Sequence, residues 1–558
     1  MLPHRCLLPL LLSALWTVPA AASPQAPIDA TTLERLVDEA LAVSTPTRSA
    51  AEYAAAVDAY RDLLERLDKL DSGALPRDGQ IDAGLLRRHL RTRLFEIEDA
   101  RLHELVPVRY FALHGVSGLF LRPCSGGPEA VRGAIRELEA QPAIFESARA
   151  NLTRPARTWT ENAIVQARYA EHMLADLLPQ ACVEDPDLEA ELLKAGAETL
   201  ESVRGFARWL KADLLPRSDR PPTWTPEQIE VYQFEHEGLE SWGVDAMLDL
   251  AAAEETRLLE EMNALAKRIH PSGDLHTVWE LMKEEAPPWP EVEAMARWYV
   301  DHSARWLRSP AGDHLVTIPD FDYGVRTTPP MARRILSFGG ASYGPTVAGR
   351  LSGYYVLTPF EPWLDDDARR ARLKAYNPYW THVISYHEWL GHTVQRAHAL
   401  SSGTLTPMRR AYRGIYLSQA WSFYLEKLLE AEGYYDTLPH LEALKTRMAR
   451  RQMRMWRVQR ILTKLRMAKG TMTFEQAVDA YVQKIGMEPE NAHIEVQRDS
   501  QSPSPPGREI VGELLIEQYR DEARKRMGEH FTQRRFHDRL LRWGDLPLPV
   551  VRRLLFDE

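Results

Sequence analysis

In a chain whose apolar residues recur at helical spacing almost from end to end, one stretch sets a geometric condition on the fold. It is His387-Glu388-Trp389-Leu390-Gly391-His392, with two imidazoles five residues apart. At about 100° per residue, four steps along a regular helix return a side chain to within roughly 40° of its start, whereas five leave it about 140° away. The two rings therefore meet only if the helix carries a one-residue bulge of the π type. Such bulges gather at functional sites, and Gly391 tolerates the distortion because it has no Cβ to clash. The helix itself follows Pro378, carries apolar Trp380, Val383, Ile384, Leu390 and Val394, and stops at Ser401-Ser402-Gly403.

Metal binding is the chemistry that would need such a meeting. Two imidazoles four residues apart, with Glu after the first, form the HExxH zinc signature: the histidines hold the ion and the glutamate activates a water. Here the second histidine comes one position late, so the stretch is a gapped form of that signature. The alternative is a core histidine followed by an unrelated surface one, since His387 falls on the apolar stripe. A third ligand is expected from a second helix. The next helix, Tyr416 to Gly433, offers Gln419 and Glu426, which lie about 10 Å apart along its axis and are not expected to share one ion.

Residues 1–22 read as an export signal: His4 and Arg5, a mostly apolar run from Cys6 to Val18, and a cleavage site at Ala20-Ala21-Ala22. That run is shorter than the roughly 20 residues a membrane span needs, and no later one approaches that length. A mature chain in the periplasm or secreted is expected. Its two remaining cysteines, Cys124 and Cys182, could form one disulfide in an oxidising compartment. A net charge of -10 argues against nucleic acid as a main partner.

Helical patterning fills Thr32 to about Leu210, with stripes at Leu33, Leu36, Val37, Ala40, Leu41 and at Leu85, Leu86, Leu90, Leu94. The polar, Pro-rich Arg217-Ser218-Asp219-Arg220-Pro221-Pro222-Thr223 marks a boundary. It divides an N-terminal helical scaffold (23–216) and a linker (217–228) from a C-terminal, catalytic-like helical region (229–558). Glu235-His236-Glu237 has no second histidine at chelating distance and reads as surface or supporting polarity. Between 313 and 362 the pattern turns β-like, at Leu315–Ile318, Arg334–Phe338 and Gly353–Thr358. Gly340-Ala341-Ser342-Tyr343-Gly344 there matches the GxSxG nucleophile elbow of serine esterases, but no convincing helix follows it. Lys445 to Lys469 carries ten basic residues and reads as one solvated face with a few packed Arg stems, one or two of which could meet a substrate carboxylate. Thr473 to Gln476 resembles a capping box.

Taken together, Asn151 to Glu161, Gly349-Arg350-Leu351-Ser352-Gly353-Tyr354-Tyr355, Tyr386 to Gln395, Gln419 to Glu426, and Phe536-His537-Asp538 to Leu546-Pro547-Leu548-Pro549 resemble the domain of unknown function 885 family. That resemblance implies a mainly α, multi-helix fold related to thimet-oligopeptidase-like zinc peptidases. Where the family has Tyr-His-Glu, two residues and then Pro-Gly-His, this chain lacks the Pro. The shortened string is similar to the HExxGH of the zinc-binding dipeptidyl peptidase III. Where the family opens its ligand helix with Glu-Gly-Trp, this chain has Gln419-Ala420-Trp421. The family's Tyr-bearing segment after Pro-Gly is replaced by Pro505-Pro506-Gly507-Arg508-Glu509-Ile510.

The expectation is thus a mainly α, zincin-like peptidase fold with a small β region around 313–362. One zinc is expected on His387, His392 and Gln419, with Glu388 as general base acting on a peptide-like substrate. The alternative is a family member with a degraded metal site that binds a peptide or partner without turnover.

Overall fold

Helices dominate the computed structural model, which describes residues 28–121, 127–334, 336, 338–345 and 351–556. The expected signal segment lies outside the described residues, as does Cys124; Cys182 is disulfide-bonded. Local sequence rules account for the helix starts. Ser49 and Glu52 form a capping box at Ala50–Asp68, and Thr473 and Gln476 form the expected one at Phe474–Ile485.

Burial follows the stripes. Leu33, Leu36, Val37 and Ala40 are buried, as are Leu85, Leu86 and Leu90, while Leu41 stays exposed. These N-terminal helices share one core with the C-terminal helices. A second core lies among Gly127–Asn151, Arg157–His172 and Pro186–Trp209, around Leu138, Phe145 and Phe206. A buried ion pair also ties the N-terminal helices to the C-terminal region: Arg409 donates to Asp82 at 2.7 Å, and to the more exposed Asp78 at 2.8 Å.

The β region is a three-stranded sheet of β1 (Asp322–Thr327), β2 (Gly339–Pro345) and β3 (Leu351–Leu357) in the order β1-β3-β2, with β3 parallel to β1 and antiparallel to β2. Only the third expected strand matches. Leu315–Ile318 is not a strand: its backbone is held instead by His537, whose Nδ1 lies 2.7 Å from the Leu315 carbonyl, and by Asp538, which accepts from the Thr317 N–H. Ile335 and Ser337 lie outside the described residues. Ser342 sits within β2, paired with Tyr354, so it does not occupy the strand-to-helix turn that a nucleophile elbow requires.

The basic stretch also differs from expectation. His440–Ala468 is buried around most of its circumference and runs through the core. Arg450 pairs with Glu430, Arg454 with Glu254 and Glu513, and Arg460 with Glu495 and Glu509. Its charges are tolerated because five carboxylates from four other helices and their caps neutralise them inside the protein.

Candidate metal centre

The helix carrying the two histidines starts at Pro378, with the Asn377 side chain accepting the Trp380 N–H at 3.1 Å. It runs as α-helix to Tyr386, switches to π geometry over His387–Thr393 and resumes as α-helix over Val394–Ser401. The bulge demanded by the five-residue spacing is therefore present. Two glycines seat it. A Cβ on Gly391 would lie 2.2 Å from the Ser422 Cβ, and one on Gly353 of β3 would lie 2.6 Å from the Thr393 Cβ. The π turn is thus pressed between the sheet and the helix Tyr416–Ala431, too closely for side chains at those points.

Across this bulge the rings of His387 and His392 stand 5.1 Å apart, centroid to centroid, at 77°. Each is anchored through Nδ1 by the Tyr416–Ala431 helix. His387 Nδ1 meets Glu426 Oε1 at 2.7 Å, and His392 Nδ1 meets Ser418 Oγ at 2.9 Å. With Glu426 ionised, the His387 Nδ1–H donates to it and Nε2 keeps its lone pair. Ligand atoms of His387, Glu388 and His392 all lie within 4.8 Å of one another. Burial pushes both imidazoles well below their ordinary range, so they are neutral and able to ligate. Two neutral imidazoles and a carboxylate around one point, with the imidazoles held from behind, fit a zinc-type ion.

The two candidate third ligands part company. Gln419 lines the cavity beside the histidines, and its amide has no hydrogen-bond partner among the described residues. Glu426 is fully buried on the far side of His387, where it orients the ring. Burial raises its carboxyl to about 7, against the pull of Arg457 and Arg450. Glu388 faces the cavity, and burial likewise raises it to about 7, against Arg457 and Arg460.

The cavity measures about 280 Å³. Its walls are β2 from Gly339 to Ala341 with Tyr343, the π turn, Ser418 and Gln419, and a group of arginines, Arg457, Arg460, Arg498 and Arg508. Neither Ser418 nor Tyr343 stands out in the sequence. A hydroxyl one residue before Gln419 is a weak signal that becomes legible only once the π turn sets the direction of His392.

Glu235-His236-Glu237 corrects the surface reading. Glu235 remains half-exposed, but His236 and Glu237 are buried. Glu237 accepts the Ile415 N–H at 2.9 Å, at the start of the helix that orients both histidines. A carboxylate there satisfies amides that the helix cannot pair itself.

A family model described as "Bacterial protein of unknown function (DUF885)" matches residues 27–555. Among solved structures, a candidate lipoprotein of unknown function from Shewanella oneidensis superposes with a TM-score of 0.71 at 17% identity, over 95% of this chain and 100% of the relative. Another candidate lipoprotein, from Colwellia psychrerythraea, gives 0.70 at 15% identity, over 94% and 96%. No curated protein matches the chain. At such identities the likeness speaks for the fold alone.

Proposed function

Since the chain belongs to the DUF885 family, whose function is unknown, kinship supplies no reaction, and we propose from the site's own chemistry that it is an exported zinc-dependent hydrolase of peptide or related amide bonds. The observation that carries this reading is the pair His387 and His392, brought together across a π turn with Glu388 within 4.8 Å. The neighbouring sheet and the orienting second helix support a zincin-like arrangement, related to the thimet-oligopeptidase-like peptidases.

His387 and His392 would hold the ion through Nε2, with Gln419 as the third protein donor. When bound, zinc supplies Lewis acidity to a substrate carbonyl and to a water. Glu388, raised to about 7 by burial, is poised to take a proton from that water and return it to the departing amine near neutral pH. Glu426 and Ser418 keep the imidazoles in one orientation throughout. β2 lies at an edge of its sheet and borders the cavity, so its unpaired backbone groups can hydrogen-bond an extended substrate. Export is supported by the leader read in residues 1–22 and by the two structural relatives being named as lipoproteins. Among the described residues no helix is long and apolar enough to cross a membrane.

One observation favours a second reading. Gln419 offers a neutral amide where the resembled family has a carboxylate, which suits a degraded site that binds without turnover. Metal analysis of purified protein separates the two. About one zinc per chain, lost in His387→Ala, supports the hydrolase; a chain that takes up no zinc at saturation supports the binder.

A further inference from the structure

Four arginines line the wall of the cavity beyond the histidines, and three of them are balanced. Arg460 pairs with Glu495 at 3.0 Å and Glu509 at 2.6 Å, Arg498 with Glu495 at 2.8 Å, and Arg508 with Glu509 at 3.5 Å and Asp499 at 3.8 Å. Arg457 is different. It is only 6% exposed, and its guanidinium lies over the Trp456 ring at 4.4 Å and the Phe423 ring at 6.0 Å. One terminal nitrogen reaches the Met453 carbonyl at 3.4 Å and the Met453 sulfur at 3.6 Å, while Nε is buried with no hydrogen-bond partner. No carboxylate stands within ion-pair distance of it among the described residues. Arg457 is thus the one arginine of this wall with no carboxylate in contact among the described residues; Glu388, Glu426 and Glu509 act on it only from beyond ion-pair distance.

A buried guanidinium with no carboxylate in direct contact leaves its hydrogen-bonding fork unsatisfied unless a ligand engages it. Its planar fork matches a carboxylate with two parallel hydrogen bonds. We propose that Arg457 anchors a subsite for a substrate carboxylate, foremost the C-terminal α-carboxylate of a peptide, so that the enzyme removes short pieces from peptide C-termini. The identity of the substrate rests on the hydrolase reading, whereas the anion subsite does not. The cavity lies at the small end of ligand pockets, which suits a short chain end beside the histidines more than a long segment running through.

The test compares N-acetylated tripeptides carrying a free C-terminal acid with the same peptides as C-terminal amides, and with amides ending in glutamate. Equilibrium binding is measured calorimetrically on Glu388→Gln, with and without Arg457→Gln, alongside zinc content; kcat/KM is measured on the wild type. Free acids should bind on the order of 100-fold more tightly than uncharged amides. That ratio should fall towards one in Arg457→Gln with zinc content unchanged. Glutamyl amides that match the free acids keep the subsite and move its ligand from the chain end to a side chain. Equal binding of acids and uncharged amides, or no binding of either, overturns the proposal. Should Arg457→Gln fail to fold, the acid-to-amide ratio on the Arg457-bearing protein still decides. Selective acid binding without zinc keeps the subsite and sinks the hydrolase. Equal cleavage of acids and amides keeps the hydrolase and sinks the subsite.

Discussion

The Nδ1 of His387 lies 2.7 Å from Oε1 of Glu426, with both side chains buried. The carboxylate fixes the ring's tautomer and direction, and it raises the basicity of the opposite nitrogen. Groups placed in this way behind a metal-bound histidine typically contribute 10- to 100-fold in metal affinity. Glu426→Gln keeps the shape and an acceptor oxygen but removes the charge. It should therefore leave the fold intact and weaken zinc binding by about 10-fold or more, as read by competition with a chelator. Unchanged affinity would mean that the pair only fills the core.

Gly391 has no room for a methyl group. Its missing Cβ would fall 2.2 Å from the Ser422 Cβ and 2.8 Å from the Ser422 Cα. Gly391→Ala must push the π turn off its partner helix, at a cost of about 1–3 kcal/mol for an overpacked core. Ser422→Gly in the same chain removes the nearer of the two contacts and should recover part of that loss. Denaturant midpoints of the four proteins in this double-mutant cycle provide the check. Additive losses would show that the contact is not the cause.

What the sequence could tell, and what it could not, follows from the range of the interactions. The π turn was legible because it is local: five residues, two rings and the helical repeat suffice. The apolar stripes and the Thr473–Gln476 cap are local too. His440–Ala468 misled because its counter-charges, Glu254, Glu430, Glu495, Glu509 and Glu513, come from segments distant along the chain, so a buried helix looks solvated on paper. Sequence left Glu237 open between surface and support for the same reason, since the amide it satisfies, that of Ile415, is 178 residues away. The first two strands were misplaced because β-like runs at Leu315–Ile318 and Arg334–Phe338 compete with the less patterned Asp322–Thr327, and the pairing with β3 decides.

Glu237 makes a stability prediction with a definite sign. Burial raises its carboxyl from 4.5 to about 7 in the folded protein, against the pull of the Ile415 amide and Arg88. Between those values the native state holds more protons than the unfolded chain, so stability is fullest below pH 4.5 and falls as pH rises through 7. The whole effect is on the order of 3 kcal/mol. Glu237→Gln keeps an oxygen for the Ile415 N–H and removes the titration. The gap in unfolding free energy between variant and wild type should therefore shift in favour of the variant from pH 5 to pH 8. A gap of equal size at both pH values contradicts the assignment.

Gln419 gives the sharpest test of how the ion would be held. It lines the cavity with its amide unclaimed by other side chains among the described residues, whereas Glu426 is committed to His387. If Gln419 is the third donor, its oxygen binds a divalent ion more weakly than a carboxylate, because it brings no charge to offset the loss of the ion's water shell. Gln419→Glu should then tighten zinc binding by about tenfold or more. It should also make that affinity fall at acid pH, where the new carboxylate protonates, in addition to any fall the histidines cause. Chelator competition at pH 5 and pH 7.5 on both proteins measures the two effects. An affinity that does not respond to Gln419→Glu would remove Gln419 from the ligand set and leave the two histidines, with Glu388, as the group the site brings together among the described residues.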